Sequence, residues 1–358
     1  MFGKVWSPSM NVDLLRAMSE SPRWRNLRVG AYVDEFDAET TKQFSACVFE
    51  LGNGTLYVAF RGTDSSIVGW KEDFMMAFRR PVASQEAAAR YLTELAGHWA
   101  GPIMVGGHSK GGNLAVYAAA NVPSEIQERI TVVYSHDGPG FDEVFFDEDG
   151  YVRIASKIHK SVPGSSIIGM LFETREHVED GYTVVSSDGA SIMQHFALHW
   201  QVDHGQFVQA DGLTSSAQYL ARTINGWMAK YDDEHRRKFI ENLFAIFEAG
   251  GYDTFGDLTS HLTQSLPIML AAARNIDVED RDVMIEVLKG FAATAAASVL
   301  MVSPRSSSVP TAMSSAFINR SGSFQFRPLP RARARQCRAR PPPLRPPPRS
   351  GGSWDGAG

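Results

Sequence analysis

Apolar and polar positions change period along the chain, and the changes mark its elements. Residues 44–51 (Phe-Ser-Ala-Cys-Val-Phe-Glu-Leu) and 56–60 (Leu-Tyr-Val-Ala-Phe) read as two strands, joined by a hairpin turn at Asn53-Gly54. A short apolar run, Pro102 to Val105, then leads through a glycine-rich stretch into the alanine-rich residues 113–120, which read as a helix. Further strands are expected at 130–134, 154–158 and 182–185. Helices are expected at 12–18 and at 84–99, the latter capped by Ser84 with Glu86 in its first turn. Strands that alternate with helices imply an α/β sheet, parallel in its centre. From residue 214 only helical periods remain, at 217–230, 235–249, 257–275 and 278–302, with Phe239, Ile240, Leu243, Phe244 and Phe247 spaced as a core-facing stripe. The expected organisation is an α/β core over 1–213, a helical appendage over 214–302 and a tail over 303–358.

Composition changes this picture only at the carboxy end. With 358 residues, 44% hydrophobic and 21% charged, the chain has ample material for a core. Ten arginines after Ser303 face a single acid, Asp355, so the tail carries +9; the formal −5 of the whole chain then leaves −14 for what precedes it. Rich in Ser, Pro and Arg and without periodicity, the tail is expected to be disordered. Its Arg331-Ala332-Arg333-Ala334-Arg335 run resembles an anionic-polymer binder, but a functionless extension explains it as simply, and no nucleic-acid partner is expected. Two cysteines, Cys47 and Cys337, form neither a disulfide framework nor a metal set. Residues 290–302 form the longest apolar run, shorter than the roughly 20 residues a spanning helix needs. No apolar h-region follows Met1, so the expectation is a cytoplasmic protein without a transmembrane segment.

Candidate chemistry centres on Gly106-Gly107-His108-Ser109-Lys110-Gly111-Gly112. Within it Gly107 to Gly111 satisfies G-x-S-x-G, a pattern common by chance in glycine-rich chains. Here an apolar strand precedes it and a helix of small residues follows, the setting in which a sharp turn lifts a serine hydroxyl above a sheet. A phosphate-loop reading fails, since neither G-x-x-x-x-G-K-[ST] nor G-x-G-x-x-G is present. The fold class implied is α/β-hydrolase-like, with Ser109 as nucleophile.

A serine nucleophile needs a base, and the base needs an acid to orient it. Histidine comes last in chain order in such hydrolases, and His195 lies in a loop after the last expected strand, where it can reach the top of the sheet. His199 and His204 lie close by, but the spacing lacks the glutamate of H-E-x-x-H, so no metal is expected. For the acid, Asp137 stands at the end of the strand that follows the elbow helix, where strand ends face an active site. A turn-forming Asp-Gly explains the same residue. Glu173, Asp188 and Asp203 are weaker candidates.

Phe60-Arg61-Gly62-Thr63-Asp64 with Trp70 and Asp73, followed by Gly107 to Ala115, resembles the class 3 (fungal-type) lipases. The lysine after the serine, Asp137-Gly138-Pro139-Gly140-Phe141, Val162-Pro163 with Ser166-Ile167-Ile168-Gly169, and Gln194-His195 with Trp200 resemble more closely an uncharacterised bacterial family related to those lipases. The resemblance spans residues 13–302. It implies Ser109 as nucleophile, His195 as base, oxyanion-hole N–H groups from Thr63 and Lys110, and a steadying role for Trp70 and Asp73. Class 3 lipases place an aspartate shortly before Val-Pro, where this chain has Lys160 and Ser161. Lys110 is read in two ways: its charge favours an anionic substrate, or only its N–H matters.

The function implied is hydrolysis of an ester or thioester through an acyl-enzyme on Ser109, with a small-molecule or lipid-like acyl ester as partner and no cofactor. Phe74, Met75, Met76 and Phe78 suit an apolar cleft and equally a core helix. The alternative is a catalytically silent scaffold that binds a ligand or partner, as fold alone confers no activity. A carboxylate within about 2.6–3.2 Å of His195 discriminates between them.

Overall fold

In a computed structural model that describes residues 8–172 and 181–302, the chain opens with α1 (Pro8–Glu20), none of whose residues is buried. An antiparallel meander follows, β1 (Arg28–Asp37), β2 (Lys42–Glu50) and β3 (Leu56–Phe60). Next come α2 (Ile67–Met75) and α3 (Ala83–Gly97), then β4 (Ile103–His108), α4 (Lys110–Asn121), α5 (Ser124–Arg129) and β5 (Ile130–His136). After α6 (Asp149–Ile154), strands β6 (Ile158–Pro163) and β7 (Tyr182–Val185) complete a seven-stranded sheet whose spatial order is its chain order. From β3 to β7 every pairing is parallel. A small hairpin, β8 (Val202–Asp203) and β9 (Gln206–Phe207), precedes five helices: α7 (Ser215–Met228), α8 (Asp233–Ala249), α9 (Phe255–Ser260), α10 (Leu262–Asn275) and α11 (Val278–Val302). The architecture is the expected α/β-hydrolase-like one, a mainly parallel sheet flanked by helices with a helical region at the carboxy end.

Packing around α4 explains why the sheet has this form. Every residue from Lys110 to Ala120 is buried, and the helix lies over β4 and β5 between α3 and α6. Ile103 and Val105 of β4 and Ile130 and Val133 of β5 are wholly shielded beneath it, the near-continuous apolar runs a parallel strand needs when both its faces are covered. Close approach depends on two glycines. A Cβ on Gly111 would collide with the Phe60 carbonyl at the end of β3, and one on Gly107 would collide with the Gly111 backbone.

A second core forms where Phe239, Ile240 and Phe244 of α8 meet Leu258, Val287 and Ile67. The stripe read from helical spacing thus packs inward, against α10 and α11 as well as α2. Lys71 of α2 also pairs with Glu248 of α8 at 2.8 Å.

Four local expectations are corrected. Strand β1 lies where no strand is expected between the first helix and residue 44: it is an edge strand, exposed along most of its length and bulged between Gly30 and Val33, so no buried alternation marks it. Residues 154–158 are not a strand; α6 and a 3₁₀ turn (Ala155–Lys157) occupy them, and β6 begins at Ile158. Helix α3 is capped at Val82 rather than Ser84, because buried Glu72 draws the Ser84 N–H at 2.7 Å while the Gln85 side chain accepts from the Val82 N–H at 3.0 Å. The helix expected at 257–275 is two helices, broken at His261. The tail, with its arginines and Cys337, lies outside the described residues, as does Glu173.

Candidate active site

Ser109 links β4 to α4 with φ 58° and ψ −131°, a left-handed backbone rare for a residue with a Cβ. Its N–H donates to the His136 carbonyl at 2.9 Å, which seats the elbow against the end of β5. The next residue of that strand end is Asp137, also left-handed at φ 49° and held by its own N–H to the Ser161 carbonyl at 2.7 Å. Two adjacent parallel strands therefore stop side by side, one on a serine and one on an aspartate.

The Asp137 side chain is fully buried. Its Oδ1 accepts from the Ser166 hydroxyl and from the Gly169 N–H at 3.2 Å, and its Oδ2 lies 2.7 Å from His195 Nδ1. A carboxylate only accepts there, so Nδ1 carries the imidazole proton and Nε2 is left for another partner. The structure thus brings His195 and Asp137 together, and the Asp-Gly turn reading of Asp137 does not account for that contact. His195 itself closes a 3₁₀ turn (Ser191–His195). The segment is held by the Trp200 indole N–H on the Gln194 carbonyl at 2.7 Å, by the Ser165 N–H on the Gln194 side chain at 2.8 Å, and by His108 Nε2 on the His195 carbonyl at 2.6 Å.

On the other side of Ser109 lies the end of β3. A Cβ on Gly62 would stand 3.2 Å from Ser109 Cβ, so the Gly62-Thr63 backbone runs beside the elbow. The Thr63 hydroxyl donates to Asp73 of α2. Lys110, the first residue of α4, turns its side chain inward: Nζ meets the Gln43 carbonyl at 3.1 Å, Glu72 at 3.0 Å and Asp73 at 3.4 Å, with only 1% of the side chain exposed. Glu72, wholly buried, also accepts from the N–H groups of Gln43 and Ser84. Burial opposes the Lys110 charge, yet Asp73 and Glu72 outweigh it and raise its pKa. Burial likewise pushes Asp73 up to about 6, against the pull of Lys110 and Thr63. The Lys110 charge is consumed inside the protein, so the anionic-substrate reading of this residue falls.

Other candidates do not converge on the site. Asp188 accepts from Gln201, and Asp203 pairs with His204 at 2.8 Å on the surface. Of the histidines that follow Ser109 in the chain, His235 pairs with Asp232 at the start of α8, and His261 stacks on Tyr252. Among the described residues no three metal-ligating side chains cluster, and no helix is long and apolar enough to cross a membrane. Trp70 packs edge-on to Phe255 and Phe78 packs against the second core, whereas Phe74 meets Phe244 edge-on but stays 43% exposed, so the stretch is divided between core and surface.

A family model described as Mbeg1-like matches residues 18–245, well over half of the chain. The chain belongs to the Mbeg1-like family. No curated protein matches it. Solved structures similar to this Mbeg1-like chain include the M37 lipase, 18% identical over 45% of this chain and 62% of that one, with a TM-score of 0.34. The chain therefore spans less than two thirds of that protein. A fungal lipase in complex with an inhibitor is 16% identical over 58% of this chain and 82% of its own (TM-score 0.34). A triacylglycerol lipase from Penicillium expansum is 14% identical over 59% and 86% (TM-score 0.33). At such scores the likeness carries nothing about the site.

Two groups in this Mbeg1-like site escape sequence reasoning. Glu72 sits in a stretch of mixed charges and aromatics where nothing distinguishes it from a solvated acid. His108 precedes Ser109 in the elbow pattern at a position that accepts any residue, and its contact with His195 spans 87 residues of chain.

Proposed function

We propose that the chain is a serine acyl hydrolase acting on an ester or thioester. In this reading Ser109 Oγ attacks the acyl carbonyl while His195 Nε2 takes its proton, and Asp137 holds Nδ1–H and stabilises the imidazolium that forms. Backbone N–H groups of Thr63 and Lys110 receive the oxyanion. Collapse of the tetrahedral intermediate expels an alcohol or thiol protonated by His195, and water activated by the same imidazole releases the acid from the acyl-enzyme.

The observation that carries the proposal is the 2.7 Å contact between His195 Nδ1 and the buried Asp137 carboxylate, on the strand end beside Ser109. A carboxylate within hydrogen-bond reach of the imidazole supports the hydrolase reading over a silent scaffold that binds a ligand or partner. An apolar acyl chain suits the site's rim. Met193, Leu198, Val202 and Phe207 all expose apolar surface on the segment that carries His195.

A fluorophosphonate probe should label the wild type and fail to label Ser109→Ala. Asp137→Asn keeps a residue that tolerates the left-handed backbone while removing the charge and turning the oxygen that faces His195 into an NH2 donor, which imposes the wrong imidazole tautomer, and ester turnover should fall by about 10⁴-fold. Undiminished labelling of Ser109→Ala would overturn the assignment.

A further inference from the structure

His108 forms a contact that neither the elbow motif nor the proposed proton relay requires. Its Nε2 lies 2.6 Å from the backbone carbonyl oxygen of His195, and its ring sits over the His195 ring with centroids 4.5 Å apart. Trp200 meets the same ring edge-on at 6.1 Å. A carbonyl oxygen only accepts, so Nε2 must carry the proton. We infer that His108 is a positioning residue: its Nε2–H grips the main chain of His195 and so sets the base in register with Ser109, its own neighbour in the chain. The inference rests on the reading of Ser109 and His195 as nucleophile and base.

Three observations support it. First, the segment bearing His195 is a 3₁₀ turn outside the sheet, so its placement depends on anchors. Two of these, from Trp200 and Ser165, act on Gln194, whereas His108 alone is seen to hold the His195 carbonyl. Second, His108 is the last residue of β4 and is registered against His136 of β5, so its Cα is fixed by the sheet that fixes Ser109 and Asp137. One rigid strand end thereby carries the nucleophile on one residue and the clamp for the base on the residue before it. Third, burial drives the His108 pKa down to about 4, with the His195 charge adding to the shift and the Asp137 carboxylate opposing it. A neutral ring can donate from Nε2 without setting a second positive charge beside His195 when that imidazole takes a proton. His136, the other histidine facing this region, is likewise pushed down to about 4 by burial.

Removing the donor should cost catalysis more than binding, because misplacement of a catalytic group by about 1 Å costs roughly 100-fold. His108→Phe keeps a ring against His195 and Trp200 but loses the N–H. Its kcat on a short-chain nitrophenyl ester should drop between about 10- and 100-fold, with KM little changed. His108→Gln restores an amide N–H near the Nε2 position and should recover most of the loss, a rescue that a purely space-filling role would not produce. Independently of turnover, long-range proton–nitrogen correlation spectra of the wild type should find His108 protonated on Nε2 and neutral from pH 7 down to about 5. A His108→Phe variant as active as the wild type, a His108→Gln variant no better than His108→Phe, or a proton on Nδ1 overturns the inference. If the wild type shows no Ser109-dependent labelling at all, the hydrolase reading fails and the positioning role falls with it. If labelling is present and His108→Phe matches it, only the inference fails.

Discussion

At the scale of single residues, Lys110 shows how one position serves two environments. Its backbone opens α4 beside Ser109, and its side chain neutralises Glu72 and Asp73 in the interior. Lys110→Met preserves the N–H assigned to the oxyanion hole but leaves buried Glu72 and half-buried Asp73 without their cation. Breaking a buried ion pair from one side costs about 3–5 kcal/mol, and urea denaturation at neutral pH should register a loss of that order. A loss within experimental error would mean that the cluster is not held by charge. Ser109 and His195 are nameable from motif and position in the chain, and Asp137 is the foremost of several acids that position allows. The direction of the Lys110 side chain is not, because it depends on acids in α2 that have no fixed spacing from the elbow.

At the scale of elements, α2 stands between two cores. One face presents Glu72 and Asp73 to Lys110 and Thr63; from the same helix Phe74 meets Phe244 of α8 edge-on at 5.4 Å, and Ile67 joins the second core. The carboxy-terminal helices therefore buttress the helix that steadies the Gly62-Thr63 loop. Phe244→Ala removes a side chain only 1% exposed, and truncating a buried phenylalanine costs about 3–5 kcal/mol. Thermal unfolding should shift down accordingly, and ester turnover should fall at temperatures where the protein is still folded, as α2 loosens. Truncating exposed Leu266 of α10 should do neither. Helical spacing in α8 announces a buried stripe, but only the assembled structure identifies α2, α10 and α11 as what it is buried against.

At the scale of the whole molecule, the interior sets a pH dependence on stability. His108 and His136 are held neutral by burial, their pKa values lowered from 6.5 to about 4. Lowered values stabilise the fold above pH 6.5, and that contribution is lost as pH falls toward 4, since the unfolded chain takes up protons first. Asp73 works the other way: with its pKa raised from 3.8 to about 6, its contribution is present below 3.8 and lost as pH rises through 6. Two histidines against one aspartate leave a net loss of stability on acidification from pH 7 to 4.5. Urea midpoints across that range should fall, and a flat profile would contradict the burial of both imidazoles. His136→Phe should shallow the slope without abolishing it.

Local pattern alone determined the α/β class, the elbow, the parallel centre and the helical carboxy region. These follow from short-range periods and from glycines whose neighbours permit no other backbone. Edge strand β1 was illegible because an edge exposed along most of its length leaves no alternation to read. Which acid faces His195 was decided only in three dimensions. Asp137 is 58 residues away in the chain, and its reach depends on β4 and β5 ending together and on a turn after β7 folding back over them. The buried partners of Lys110 and the grip of His108 on the His195 main chain are of the same kind. Sequence periodicity reports the face a residue presents, whereas a contact between strand ends, loops and a neighbouring helix depends on how those elements pack.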